Sequence, residues 1–355
     1  AKVIQSKGCK TVIIKGGHSK NDTDDKNCID YCLHQCVEQN SNIENAPNYI
    51  DSNIVYQLTS PRFNTSYSHG GGCSFATALS AFLAHNYLLR DALTLTKAFI
   101  NQGLRAQTGK TEHYGAFEQL SWPDKADDFP TVTSELNQQH LQLPKFNALG
   151  LPRGGIEKLG LYPVIDSLYW LKRLLPLNLN IIQLRLKNKS LPEVELLISE
   201  AITMCKTTKT RLFINDYWQL AIKYNAYGVH IGQEDLQDAD LYAIQRAGLR
   251  LGISTHGCYE FLLAQQLKPS YLAIGAIFPT KTKNMVGQIQ GVKNLQQILC
   301  LATDIPVVAI GGINQQNAAS VCQTGCDSIA VVTAITEADD PELVVEQLRG
   351  VIAVN

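Results

Sequence analysis

The sequence predicts an α/β protein: a C-terminal TIM (β/α)8 barrel preceded by a partial α/β segment. Three observations carry this. From Leu159 onward eight short apolar runs recur, separated by helical patterns. The runs are almost continuously apolar, as strands buried on both faces must be. Eight such units in about two hundred residues is the size and order of a compact barrel. A doubly wound open sheet is the alternative arrangement of the same units.

Taken in order, the chain opens with a β-branched run, Thr11 to Ile14, that reads as a strand leading into the tight turn KGGH, Lys15 to His18. Two short apolar stretches follow. Then the segment SHGGGC, Ser68 to Cys73, enters a long helical pattern, SFATALSAFLAHNYL. Glycines opening a helix expose backbone N–H groups, and the helix dipole favours an anion there. Gly70 and Gly72 thus outline a phosphate cradle, although a glycine run serves equally as a plain turn into a helix. Cys73 stands at the helix start, where a thiol can act in proton transfer.

Residues 1–123 form this first segment. Residues 124–157, mixed in Pro, Gly, Gln and charge, read as a linker with one short helix near Glu135 to Gln142. The chain has ten cysteines. Cys28, Cys32 and Cys36 recur at helical spacing, and none forms the paired knuckles of a structural zinc site, so free thiols are the expectation.

The barrel is expected over residues 158–355. Its strands begin near Leu161, Ile181, Arg211, Gly228, Arg250, Tyr271, Pro306 and Ser328. Barrels place chemistry just beyond the C-terminal ends of their strands, and here those positions hold polar groups. The second run ends QLRLK, with Gln183, Arg185 and Lys187 alternating toward one face. The third ends on Asn215 and Asp216, the fourth leads to Gln233 and Asp235, and the fifth carries Ser254 and His256. The sixth is followed by PTKTK with Thr280, Thr282 and Lys283, the seventh by Gly311 and Gly312, and the eighth by Thr333.

Asp216 and Asp235 follow strands joined by one crossover, so both lie at the same end of the sheet and can share an ion. Two hard carboxylates suit Mg²⁺, which keeps waters and bridges to substrate phosphates. Arginine and lysines would bind the same phosphates. Each residue has a plainer alternative: QLRLK as a solvated strand end, Asp216 as a helix cap, His256 as a structural histidine.

A formal net charge of −1 gives no general attraction to nucleic acid or membrane. No apolar run approaches a membrane span, and the first residues lack the apolar core of a signal peptide, so a cytoplasmic small-molecule enzyme is the expectation.

Residues 159–355 resemble thiamine phosphate synthase, through QLRLK, FINDYWQLAI, GVHIGQEDL, LGISTHG, AIFPTKTK, AIGGI and VVTAIT in order. The resemblance implies a transferase that joins hydroxymethylpyrimidine diphosphate to hydroxyethylthiazole phosphate and releases pyrophosphate. It implies that Mg²⁺ on Asp216 and Asp235, with Arg185, Lys187 and Lys283, stabilises the departing diphosphate. It also implies that Gln183, Asn215 and Ser254 hold the pyrimidine or diphosphate, and that Thr280, Thr282, Gly312 and Thr333 receive the thiazole phosphate.

Residues 1 to 120 resemble the C-terminal half of hydroxymethylpyrimidine (phosphomethylpyrimidine) kinase, a ribokinase-like enzyme, through VIIKGGH, SHGGGC and KAFINQGLRAQTGK. Gly70, Gly72 and Cys73 carry over as its anion site, while Gly71 replaces the family's threonine. The family's first half would have to precede Ala1. An incomplete sheet is expected to expose an edge, so association between copies is an expectation. Two further readings follow: a pyrimidine kinase using ATP once completed, and a non-catalytic docking module on the synthase.

Overall fold

The computed structural model describes residues 1–17, 26–35, 53–150, 159–280 and 289–354. The chain divides into two compact units, Ala1–Leu141 and Gln142–Asn355.

In the first unit, strands β1 (Thr11–Ile14), β2 (Asn27–Gln35), β3 (Asn53–Pro61) and β4 (Thr131–Ser134) form a four-stranded sheet in that order. Each pair is antiparallel. The helix Leu89–Arg105 buries Ala92, Leu93, Leu95 and Ala98. It also carries polar groups inward. Lys97 Nζ lies 2.9 Å from Asp30 Oδ2 on β2, with both side chains buried. Asn101 Nδ2 donates to Ser60 Oγ on β3 at 2.7 Å and to the Asp128 carbonyl at 2.8 Å. Buried polar groups are tolerated only when paired in this way.

Two expectations change here. Cys28 and Cys32 lie on β2, not on a helix. A four-residue spacing returns to one face of a strand as well as to one face of a helix, so the spacing alone does not separate the two; Cys36 lies outside the described residues. The stretch read as a linker also carries structure. Thr131 to Ser134 complete the first sheet through β3, and the expected short helix is Glu135–Gln139. Further on, Leu143, Phe146 and Leu149 are buried within the second unit, where the Phe146 amide donates to the Lys268 carbonyl at 3.1 Å.

The second unit is the barrel. Its strands are β5 (Gly160–Ile165), β6 (Ile181–Leu184), β7 (Arg211–Asn215), β8 (Gly228–Ile231), β9 (Arg250–Thr255), β10 (Tyr271–Ile274), β11 (Val307–Ile310) and β12 (Ser328–Val331). All eight fall on the predicted apolar runs. Each is parallel to the next, and β12 pairs with β5 to close the ring. Closure removes both sheet edges.

The strands are buried almost throughout, which explains their unbroken apolar character. Leu149, Leu159, Ile181, Phe213, Tyr162 and Tyr271 fill the interior, joined by Val164, Ala273, Val308 and Ala330. The interior is therefore a packed floor rather than a pore.

Two glycines make room for the large rings in that floor. A Cβ on Gly252 would stand 2.2 Å from the Tyr271 ring, and one on Gly228 would stand 2.5 Å from the Phe213 ring. Neither position accepts a side chain without displacing an aromatic ring.

Candidate active site

A cavity of about 200 Å³ opens at the C-terminal ends of the barrel strands. Gln183, Arg185, Lys187, Asn215, Asp216, Asp235, Ser254, Thr280, Gly312 and Thr333 all line it. His256 and Gly311, also singled out from sequence, line it as well. Thr282 and Lys283 lie outside the described residues.

Local backbone explains how each side chain arrives. The Arg185 amide donates to the Ile165 carbonyl at 2.7 Å, continuing the ladder one step past β6. Alternation therefore persists, sending Gln183, Arg185 and Lys187 to the cavity while Leu186 is buried away from it. Asp216 adopts φ +65°, a left-handed conformation for a residue with a Cβ. Its amide donates to the His230 carbonyl on β8 at 2.9 Å, which fixes the turn at the end of β7. Holding a non-glycine residue there costs about 1 kcal/mol or more, and such strain collects at functional sites.

Gly311 and Gly312 take φ +103° and +65°. A Cβ on Gly312 would meet the Pro279 carbonyl oxygen at 2.5 Å, so the bare backbone is what lets this loop pass beside the segment after β10.

Charge is arranged with one sign facing the other. Lys187 Nζ sits 2.8 Å from Asp216 Oδ2. The Asp235 carboxyl is pushed above the usual carboxylate range, first by desolvation and then by the charge of Asp216, with Lys187 opposing. Burial and the like charge of Asp216 thus both disfavour the ionised form of Asp235. Among the described residues no group of three or more His, Cys, Asp or Glu side chains is placed to hold a metal ion by itself. A two-carboxylate set matches a hard divalent ion that keeps water and substrate oxygens in its remaining positions.

Residues 161–335 match the family model described as thiamine monophosphate synthase. The thiamine-phosphate synthase of Yersinia pseudotuberculosis is 53% identical over 196 residues, covering 55% of this chain and 91% of the relative. The chain belongs to the thiamine-phosphate synthase family. The enzyme of that name from Citrobacter koseri is 52% identical over 194 residues, covering 55% of this chain and 92% of the relative. A solved thiamine phosphate pyrophosphorylase from Pyrococcus furiosus is 29% identical with a TM-score of 0.49, covering 56% of this chain and 98% of that one. Residues 1–118 match the model of phosphomethylpyrimidine kinase.

The synthase-family cavity holds residues that sequence reasoning did not select. His230, from the middle of GVHIG, lines it, as does Glu234. His256, which was singled out from sequence, lines it too; its backbone amide and Nδ1 meet Glu260 Oε2 at 2.7 and 2.9 Å. The i, i+4 spacing of His256 and Glu260 was a legible signal for that pair. Gln233, expected at the cavity from its place after β8, does not line it; its side chain turns back and donates to the Ser254 carbonyl at 2.7 Å.

In the first unit, Gly70 precedes the helix Gly71–Ala84 with φ +77°. Gly70, Gly72 and Cys73 are exposed, and Lys15 Nζ reaches the Gly71 carbonyl at 3.4 Å. Among the described residues no helix is long and apolar enough to cross a membrane.

Proposed function

We propose that the barrel joins hydroxymethylpyrimidine diphosphate to hydroxyethylthiazole phosphate with release of pyrophosphate. The observation that carries this reading is the convergence of ten candidate residues, from seven successive strands, on one cavity. The reaction breaks the bond between the pyrimidine methylene and its diphosphate oxygen. The bonding pair leaves with the oxygen, and the thiazole nitrogen supplies the pair that forms the new C–N bond.

Charge builds on the departing diphosphate, so fixed cations aimed at it lower the barrier. Arg185 offers a planar fork and Lys187 a point charge to its oxygens. Lys283 is assigned the same task from sequence. Asp216 and Asp235 are the residues that would hold Mg²⁺. When bound, the ion would neutralise diphosphate oxygens as a Lewis acid. Gln183, Asn215 and Ser254 orient the pyrimidine end. Thr280, Thr282, Gly312 and the backbone near Thr333 receive the thiazole phosphate.

Incubating the full chain with both substrates and Mg²⁺ is expected to yield thiamine phosphate and pyrophosphate in equal amounts. Folded protein giving neither would overturn the reading.

A second activity is favoured by the first unit, where Lys15 brings a cation beside the glycine run that holds Gly70, Gly72 and Cys73. We assign this region an anion-binding role toward the phosphates of ATP. Phosphorylation of a hydroxymethylpyrimidine by the purified chain with ATP tests it, and the chain's mass in solution tests whether copies associate.

A further inference from the structure

Beneath the cavity, two of its side chains are the ends of one continuous hydrogen-bonded chain. Gln183 Nε2 donates to Tyr162 OH at 3.2 Å, and Tyr162 OH lies 2.8 Å from Tyr271 OH. Tyr271 OH lies 2.7 Å from His230 Nδ1, and His230 Nε2 lies 2.8 Å from Ser254 Oγ. The links come from β5, β6, β8, β9 and β10 and cross the barrel interior. All but Ser254 are buried. The His230 and Tyr271 rings stack with centroids 5.6 Å apart and planes 22° from parallel, over the space that Gly252 leaves open.

We infer that Tyr162, Tyr271 and His230 are positioning residues that set which end of the aminopyrimidine site donates a hydrogen bond and which accepts one. The inference rests on the synthase reading of the cavity.

The polarity follows link by link. Each tyrosine hydroxyl has one proton to give. Tyr162 receives from Gln183, so its proton goes to Tyr271. Tyr271 then gives its own to His230 Nδ1. A neutral imidazole that accepts at Nδ1 must donate from Nε2, so Ser254 Oγ receives. The Ser254 proton is left to point into the cavity, and the Gln183 carbonyl oxygen is left as an acceptor. Burial raises both tyrosine pKa values, which keeps the two hydroxyls protonated at neutral pH.

An aminopyrimidine presents the complementary pair, an amine that donates and a ring nitrogen that accepts. Reversing the chain would exchange both roles at once, because no link can turn without its neighbours. A phenylalanine at either tyrosine uncouples the ends and frees the His230 tautomer.

The test has two readouts on the full chain. Nitrogen-15 NMR of histidine-labelled protein at neutral pH should show His230 with its proton on Nε2. Steady-state kinetics of Tyr271→Phe and Tyr162→Phe should show KM for the pyrimidine diphosphate raised about tenfold, the cost of one misdirected hydrogen bond, with KM for the thiazole phosphate unchanged. A wild-type His230 protonated on Nδ1, or on both nitrogens, overturns the inference. So does a wild-type pyrimidine KM in both variants.

Should Tyr271→Phe fail to fold, Tyr162→Phe breaks the chain one link further from the histidine, and the wild-type tautomer needs no variant. If the chain makes no thiamine phosphate, the synthase reading falls while the tautomer measurement still decides the polarity.

Discussion

The two units of this chain use the same ingredients to opposite effect. In the barrel, ten residues scattered over 150 positions of sequence meet in one cavity because a closed ring aims every strand end at a common axis. In the first unit the sheet is open, and the glycines and cysteine of its helix entry are exposed. Closed topology gathers chemistry whatever the spacing of the residues. An open sheet holds a motif in place without surrounding it, so a motif match there says less about a working site.

The contrast is broken most strongly at the buried ion pair. Lys97→Ala strands Asp30 among buried groups, at an expected cost of about 3–5 kcal/mol. Chemical denaturation should show that loss in the transition of residues 1–141, while thiamine phosphate formation persists. Loss of both together would mean that the two units do not act independently.

Next in size, Asp216→Ala should lower turnover by about a hundredfold to a thousandfold in the synthase assay, the effect of removing a group that serves developing charge. Its folding stability should fall by about 1 kcal/mol, since alanine keeps a Cβ in the left-handed turn and gives up the Lys187 ion pair.

Mg²⁺ should raise the thermal midpoint of the barrel, by about 2.7 kcal/mol of stability at a hundred times its dissociation constant. Asp235→Asn should abolish that gain. Gly252→Ala should cost about 1–3 kcal/mol by driving a Cβ into Tyr271, read as a lower denaturation midpoint. Smallest of all, Cys73→Ser should leave thiamine phosphate formation unchanged, because that residue belongs to the other unit.

Much of the barrel was legible because its strands are short, apolar and evenly spaced, and because alternation at QLRLK points three polar groups one way. The tyrosines were not. Tyr162 and Tyr271 sit inside apolar runs, where a large ring reads as core, and their hydroxyls gain meaning only once β5 and β10 are seen to face each other across the ring. His230 was hidden likewise, as a lone histidine between two valine-like neighbours. In the first unit, β4 was obscured because four residues of TVTS carry too little pattern to stand out from the polar stretch around them; pairing with β3 supplies what the segment lacks by itself. The cysteine spacing misled for a geometric reason, since four is a multiple of the strand repeat as well as nearly one helical turn.

The packed floor has one more consequence. With Leu149, Leu159, Ile181 and Phe213 packed in the barrel interior, the described residues leave the reaction chamber open at the strand ends. Molecules that pass through that mouth share one route, so a product lying nearer to it departs ahead of one beneath.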